Sequence, residues 1–257
     1  MTTAIQTEQK GAVLIIRIDR PAQKNALTHE MYTLMGDHLQ AADENPEIRA
    51  VLFTGNADCF TAGNDLSEFA DGLDQAFAET PVGRFLLLLA RATTPVVAAV
   101  NGPAVGIGTT MLLHCDLVYA GQNTRFQMPF VNLGLCPEGG SSLLLPRWIG
   151  RVRACELLML GGPFDVAAAD KLGLINGICD PEQTEVTAMD ACERLAAQPA
   201  AAIRATKELL RQGEGDELDY AMLAEGARFF ERLKSPEAAE AFAAFREKRK
   251  PDFSRFD

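Results

Sequence analysis

Three histidines and six cysteines are all this chain offers for metal or redox chemistry, and neither set is arranged for it. His29, His38 and His114 have no metal-ligand spacing, and Cys59, Cys115, Cys136, Cys155, Cys179 and Cys192 are scattered without a C-x-x-C pair. No metal is expected, and the cysteines read as reduced, mostly structural residues of a cytoplasmic or similarly reducing compartment. Positive charge is also scarce: 24 Lys and Arg against 35 Asp and Glu leave a formal net charge of -11. That balance argues against nucleic acid and anionic membrane as partners, so any phosphate site must be local. Residues 1–10 hold no apolar signal-like core, and no apolar run is long enough to span a bilayer. What remains is a globular chain: 257 residues with 47% hydrophobic content can bury a sizeable core, as one large domain or one domain with an appendage.

The chain is organised around residues 95–116. An apolar, β-branched run at 95–100 reads as a buried strand, and Asn101-Gly102-Pro103 breaks it. Gly106, Ile107 and Gly108 then stand at the expected start of a helix, where the first N–H groups have no intrahelical partner and lie at the positive end of the helix dipole. Such a seat suits negative charge. A dinucleotide-binding turn would want a third glycine where Met111 stands, so that match is weak. An oxyanion hole, in which backbone N–H groups meet charge that develops in a transition state, fits better. An ordinary strand, turn and helix with glycines for packing is the remaining alternative.

In chain order, strands are expected at 13–18 and 50–55, with a helix between them that Thr28 N-caps and that runs to about 45. The turn-rich stretch 56–65 leads to a short helix near 66–69. Residues 85–91 read as a helix, 116–120 and 124–127 as short strands, Pro137-Glu138-Gly139-Gly140 as the opening of another helix, and 151–160 as a further one. Strands alternating with helices imply βαβ-type units and a mainly parallel sheet. From about 181 the pattern is helix alone, at 182–197, 199–211, 217–233 and 236–249. These apolar-faced helices must cover either their own domain or a neighbouring subunit. The expected division is a core at 1–195 and a C-terminal helical region at 196–257.

Three glycine-bearing turns can carry chemistry: Ala62-Gly63-Asn64-Asp65, Gly106-Ile107-Gly108 and Pro137-Glu138-Gly139-Gly140. The first two each follow a strand and open a helix, so their free N–H groups can converge on one carbonyl oxygen. Glu138 reads either as the base beside them or as a helix-start carboxylate that complements the dipole. Asp65 reads as a helix cap, His114 as a packed core histidine, Asp116 as a turn residue, and Cys136 as no nucleophile.

The stretches Cys59-Phe60-Thr61-Ala62-Gly63-Asn64-Asp65-Leu66, Asn101-Gly102-Pro103-Ala104-Val105-Gly106-Ile107-Gly108 and Asn132-Leu133-Gly134-Leu135-Cys136-Pro137-Glu138-Gly139-Gly140 resemble the crotonase (enoyl-CoA hydratase/isomerase) superfamily. The likeness runs from Arg20-Pro21-Ala22-Gln23-Lys24-Asn25-Ala26-Leu27 to Phe245-Arg246-Glu247-Lys248-Arg249. It implies an α/β fold, a crotonase-like ββα superhelix, with C-terminal helices that build a homotrimer or a dimer of trimers. It also implies an acyl-CoA thioester substrate, with no cofactor beyond the coenzyme A that the substrate carries. The thioester oxygen would be held by the backbone N–H groups of Asn64 and Ile107. Lys24 resembles the position that approaches the CoA phosphates, and the backbone of Ala26 and Ala62 would meet the adenine end. Phe229 and Lys248 resemble C-terminal positions that reach CoA, often from the next subunit. Asp65, Leu66, Gly106 and Phe130 lie in the same matched motifs and are expected at the substrate site.

Relatives with hydratase activity place two carboxylates where this chain has Thr110 and Phe130, neither of which exchanges a proton at neutral pH. Glu138 instead resembles the single base of the delta3,delta2-enoyl-CoA isomerase branch, and Met128-Pro129-Phe130-Val131-Asn132-Leu133-Gly134 adds to that likeness. The resemblance therefore implies movement of the double bond of 3-enoyl-CoA to trans-2-enoyl-CoA, with Glu138 carrying a proton from C2 to C4 through a dienolate. An apolar wall of Phe130, Leu133 and Leu135 would keep water out and raise the pKa of the base. Hydration, thioester hydrolysis, or acyl-CoA binding without turnover are the alternatives.

Overall fold

A hairpin forms the edge of the main sheet: Ile5–Lys10 (β1) pairs antiparallel with Val13–Ile18 (β2), and Gly11 turns between them at φ +58°. This computed structural model describes residues 4–56, 58–68 and 75–256. β1 has no counterpart in the sequence reading, because only Ile5 of its six residues is buried and a polar edge strand shows no apolar alternation. The next helix, His29–Glu44 (α1), starts where Thr28 Oγ1 accepts from Met31 N–H and stops before Pro46, since the residue ahead of a proline is disfavoured in the helical region. Its buried Met31, Tyr32, Met35 and Leu39 repeat at helical spacing and face the sheet. Ala50–Thr54 (β3) then runs parallel to β2, followed by Pro81–Arg91 (α2), which Thr80 N-caps.

Val96–Val100 (β4) joins β3 in parallel, and Asn101-Gly102 ends it. Pro103–Val105, expected within a turn, is a strand (β5) and starts a second sheet, a position where a leading proline loses no ladder bond that the strand needs. The helix expected after Gly106 is short: Ile107–Thr110 (α3) passes into a 3-10 turn over Met111–His114. Leu117–Gly121 (β6), Arg125–Gln127 (β7), Ser141–Ile149 (α4), Arg151–Cys155 (α5), Phe164–Asp165 (β8), Val166–Lys171 (α6) and Gly177–Cys179 (β9) complete the alternating part. Thr184–Ala196 (α7), Ala200–Gln212 (α8), Gly215–Leu233 (α9) and Pro236–Arg246 (α10) follow. The helix expected at 66–69 does not form over Leu66 to Glu68, which make a turn and a bend; residue 69 lies outside the described residues.

The main sheet has the order β1-β2-β3-β4-β6-β9, parallel except for its first pair, and the small sheet has the order β5-β7-β8. Both faces of the main sheet's central strands β3 and β4 are buried. Ile16, Val51, Phe53, Val96 and Ala98 pack toward α1 and α2, while Val13, Ile15, Leu52, Val97 and Ala99 meet Ala188 and Cys192 of α7. That double coverage is why the central strands read as continuous apolar runs, and full burial of a side chain such as Phe53 contributes about 1.5–3 kcal/mol. Among the described residues no helix is long and apolar enough to cross a membrane.

Asp116 does more than mark a turn. Its carboxylate accepts from Val96 N–H at 2.7 Å and from Lys207 Nζ at 2.6 Å, and Arg211 of α8 donates to the carbonyls of Ala90, Ala92 and His114. α8 is thus docked on its own domain by the buried Lys207 and the half-buried Arg211, while its Leu209 and Leu210 stay exposed.

Candidate active site

Three segments far apart in sequence lie side by side. Ala62 N–H donates to Lys24 O at 3.0 Å and Leu27 N–H to Gly63 O at 2.8 Å, which lays 24–27 along 62–65. On the other flank Thr61 N–H donates to Pro103 O and Val105 N–H to Thr61 O, each at 3.0 Å. Thr61 pairs in parallel with Ala104, which sets the turn after Thr61 beside the turn after Val105. Gly63 makes this approach possible: its φ is +90°, and a Cβ there would sit 2.8 Å from Val105 O. Gly106, at φ +57° and ψ -121°, is the second glycine-dependent bend.

The outcome is two unspent donors. No acceptor among the described residues takes the N–H of Asn64, and Ile107, as the first residue of α3, has an N–H with no intrahelical partner. With only four residues in α3, its dipole adds little, and the amide itself is the donor. The Asn64 side chain is held separately by Tyr32, whose hydroxyl donates to Asn64 Oδ1.

A cavity opens between these turns and α9. Asn64, Asp65 and Glu138 line its polar side, while Phe77, Val82, Phe229, Phe230 and Leu233 build the apolar side. Glu138 is 5% exposed, and Thr110 Oγ1 donates to its Oε1. Burial pushes the Glu138 carboxyl up to about 8; the Thr110 hydrogen bond opposes the rise and the buried Glu225 carboxylate adds to it. The residues expected to wall it, Leu133 and Leu135, do not line the cavity, and their place is taken by the α9 side chains and Phe77. Phe130 stands behind: its ring is 4.0 Å from a Cβ built on Gly106 and meets Phe229 edge to face at 6.3 Å.

Of the expected site residues, Glu138, Asn64, Asp65 and Phe229 line the cavity; Phe130 meets Phe229 and Gly106 behind it, and Ile107, the first residue of α3, does not line it. Ala26 and Ala62 belong to the ladder but do not line it, nor do Leu66, Lys24 or Lys248, both lysines being exposed at positive φ (51° and 53°). Asp65 caps no helix. Its carboxylate takes Arg20 Nη1 at 2.6 Å and the Ser67 hydroxyl at 2.7 Å, and these bonds pull it down to about 2. Phe229 serves the cavity of its own chain. His114 is a packed core histidine, as expected: burial lowers it to about 4, so it is neutral and its Nε2–H donates to Gly139 O at 2.7 Å. Cys136 is pushed up to about 11 by burial and carries no thiolate. Sequence reasoning missed Tyr32, Phe77, Glu225, Phe230 and Leu233; the helical spacing of 222, 225, 226, 229 and 233 on α9 is a trace of Glu225 and Leu233 alone.

Because the folded carboxyl of Glu138 titrates near 8 and an unfolded one near 4.5, the folded state loses stability as pH rises between those values and then levels off. Glu138→Gln removes that loss. Its melting temperature is expected to equal the parent's at pH 4 and to exceed it by several degrees at pH 9, since a few kcal/mol are involved and each is worth roughly 2–4 °C in a chain of this size. Calorimetry at the two pH values checks this.

A mainly parallel sheet whose turns bring Asn64 and the buried Glu138 to one largely apolar cavity, with the Gly106 turn packed beside them, defines a crotonase-type α/β protein. The enoyl-CoA hydratase/isomerase family model matches residues 8–255, and the chain belongs to that family. It is 32% identical over 241 residues to the 2,3-dehydroadipyl-CoA hydratase of Escherichia coli, covering 94% of each chain. It is 33% identical over 256 residues to the 1,2-epoxyphenylacetyl-CoA isomerase of the same organism, covering 96% of each. Among solved structures, Pseudomonas aeruginosa OdaA superposes with a TM-score of 0.92 at 45% identity, covering 95% of this chain and 99% of that one. An enoyl-CoA hydratase/isomerase from Pseudoalteromonas atlantica superposes with a TM-score of 0.93 at 39% identity, covering 98% and 100%.

Proposed function

We propose that the protein moves the double bond of a 3-enoyl-CoA to give trans-2-enoyl-CoA. The observation that carries this reading is that Glu138 is the buried carboxylate on the cavity: the side chain that reaches it from α3 is a threonine, Phe130 is hydrocarbon, and the other two cavity carboxylates, Asp65 and Glu68, are engaged by Arg20 and by the His29 N–H, so proton transfer falls to one carboxylate. Ionised Glu138 takes a proton from C2, and the electron pair spreads over C1 to C4 with its charge on the thioester oxygen. The N–H groups of Asn64 and Ile107 receive that charge. The same carboxyl returns the proton at C4, and the double bond lies between C2 and C3. No water is consumed, which suits a cavity walled by Phe77, Phe229, Phe230 and Leu233. Lys24 and Lys248, exposed and outside the cavity, are proposed to meet the phosphates of CoA. The exposed Leu209, Leu210, Val152 and Met159 are proposed to form contacts of a homotrimer, which sedimentation measures directly.

A panel of 2-enoyl and 3-enoyl thioesters of several lengths, read for product identity, tests the reaction. The expected product is 2-enoyl-CoA from 3-enoyl-CoA. 3-Hydroxyacyl-CoA as the main product from either substrate makes the protein a hydratase, release of free CoA makes it a hydrolase, and binding without turnover makes it a carrier.

Two further results are expected. Since the base works ionised and titrates near 8, kcat/KM rises about tenfold per pH unit below that value and is flat above it. Thr110→Val removes the donor that steadies Glu138 Oε1; kcat falls by about tenfold and the rising limb moves to higher pH, because the lost hydrogen bond favoured the ionised form.

A further inference from the structure

The turn that carries Glu138 is gripped from α9. Gly140 N–H donates to Glu225 Oε2 at 2.6 Å and Ser142 N–H donates to Glu225 Oε1 at 2.8 Å. Both oxygens of a side chain only 8% exposed are thus spent on amides two and four residues after Glu138. Gly140 is the N-cap of α4 and has no side chain to cap with, so the cap arrives from 85 residues away. It arrives because residue 140 is glycine: a Cβ there would meet Leu218 Cδ1 at 2.5 Å and Met222 Cγ at 3.3 Å, both on α9. A serine cap would fix the turn without burying a second carboxylate beside the first, an arrangement that costs desolvation and adds repulsion. The structure keeps the charged alternative.

We propose that Glu225 is a positioning residue for Glu138: through two amides it fixes the turn from which Glu138 enters the cavity, and its negative charge stands behind that carboxylate. The inference rests on the reading of Glu138 as the base. The other titratable groups around Glu138 are quiet. Tyr32 of α1 and Cys136 are held protonated by burial, and His114 is neutral. Across the cavity Asp65 is neutralised by Arg20, and His29 faces Glu68 at 3.9 Å. On α9 itself, Arg228 is engaged with Glu231. Burial raises the Glu225 carboxyl above the usual carboxylate range, and its bonds to the Ser142 and Gly140 amides at the start of a nine-residue helix oppose that rise, which leaves Glu225 as the neighbour whose charge opposes ionisation of Glu138.

The test is a carboxyl 13C NMR titration of protein labelled in its glutamates, with the Glu138 signal assigned by its loss in Glu138→Gln. In Glu225→Gln the Glu138 midpoint is expected to fall by about one pH unit, and the acid limb of kcat/KM to move down with it. A cap that is only structural lowers kcat or the melting temperature and leaves the midpoint in place, and that result overturns the proposal. Should Glu225→Gln not fold, the parent decides: a coupled pair gives Glu138 a two-step titration, and a single step overturns the inference. The NMR midpoint moves whether or not Glu138 is the base, so an active Glu138→Gln variant refutes the catalytic reading alone.

Discussion

Glu138→Gln is expected to bind acyl-CoA as the parent does while kcat on 3-enoyl-CoA falls by roughly 100- to 10,000-fold. The amide keeps the size of the side chain and can still accept from Thr110 Oγ1, so the turn at 138–140, held by His114, Ser141 and Glu225, stays in place. What it cannot do is take a proton from C2. Because the other carboxylates on the cavity are engaged, Asp65 with Arg20 and Glu68 with the His29 N–H, the loss falls on kcat and not on binding, the pattern of an interaction made in the transition state. Equal activity in the variant contradicts the role given to Glu138. Together with the expected gain in melting temperature at pH 9, one substitution separates function from stability in opposite directions, as expected for a carboxylate buried for its chemistry.

The second large effect is expected at Gly63. Gly63→Ala places a methyl 2.8 Å from Val105 O and forces an L side chain into φ +90°, so the segment 61–65 must move away from 103–107. That ladder holds the turn with the Asn64 amide beside the turn with the Ile107 amide, and a displacement near 1 Å is enough to cost on the order of 100-fold in rate. Since Gly63 O also accepts from Leu27 N–H at 2.8 Å, a loss of stability accompanies it. A variant with parental kcat/KM shows that the two amides do not act together.

The sequence made the backbone turns readable because glycines at 63, 106, 139 and 140 leave a fixed signature: each sits at positive φ where other residues are strained. The central strands were equally plain, since burial on both faces makes them unbroken apolar runs. β1 and β5 were not readable, one for lack of buried residues and the other because proline and glycine signal a turn whether or not a short strand follows. The cavity wall was hidden for a different reason. Phe77, Phe229, Phe230 and Leu233 come together only through tertiary packing of α9 against the segment before α2, and Gly226, whose Cβ would meet the Phe77 ring at 2.2 Å, is what admits that packing. Helical periodicity showed that α9 covers something; it carried no sign of what. Glu225 was the extreme case, a lone acid among many until the fold set it on the Glu138 turn.

The most direct measurement is the structure of the Glu138→Gln variant bound to a 3-enoyl-CoA. The expected result is a thioester oxygen within about 3.2 Å of both the Asn64 and Ile107 nitrogens, with the side chain at 138 facing C2 and C4. A thioester oxygen held elsewhere, or a residue 138 turned away from those carbons, contradicts it.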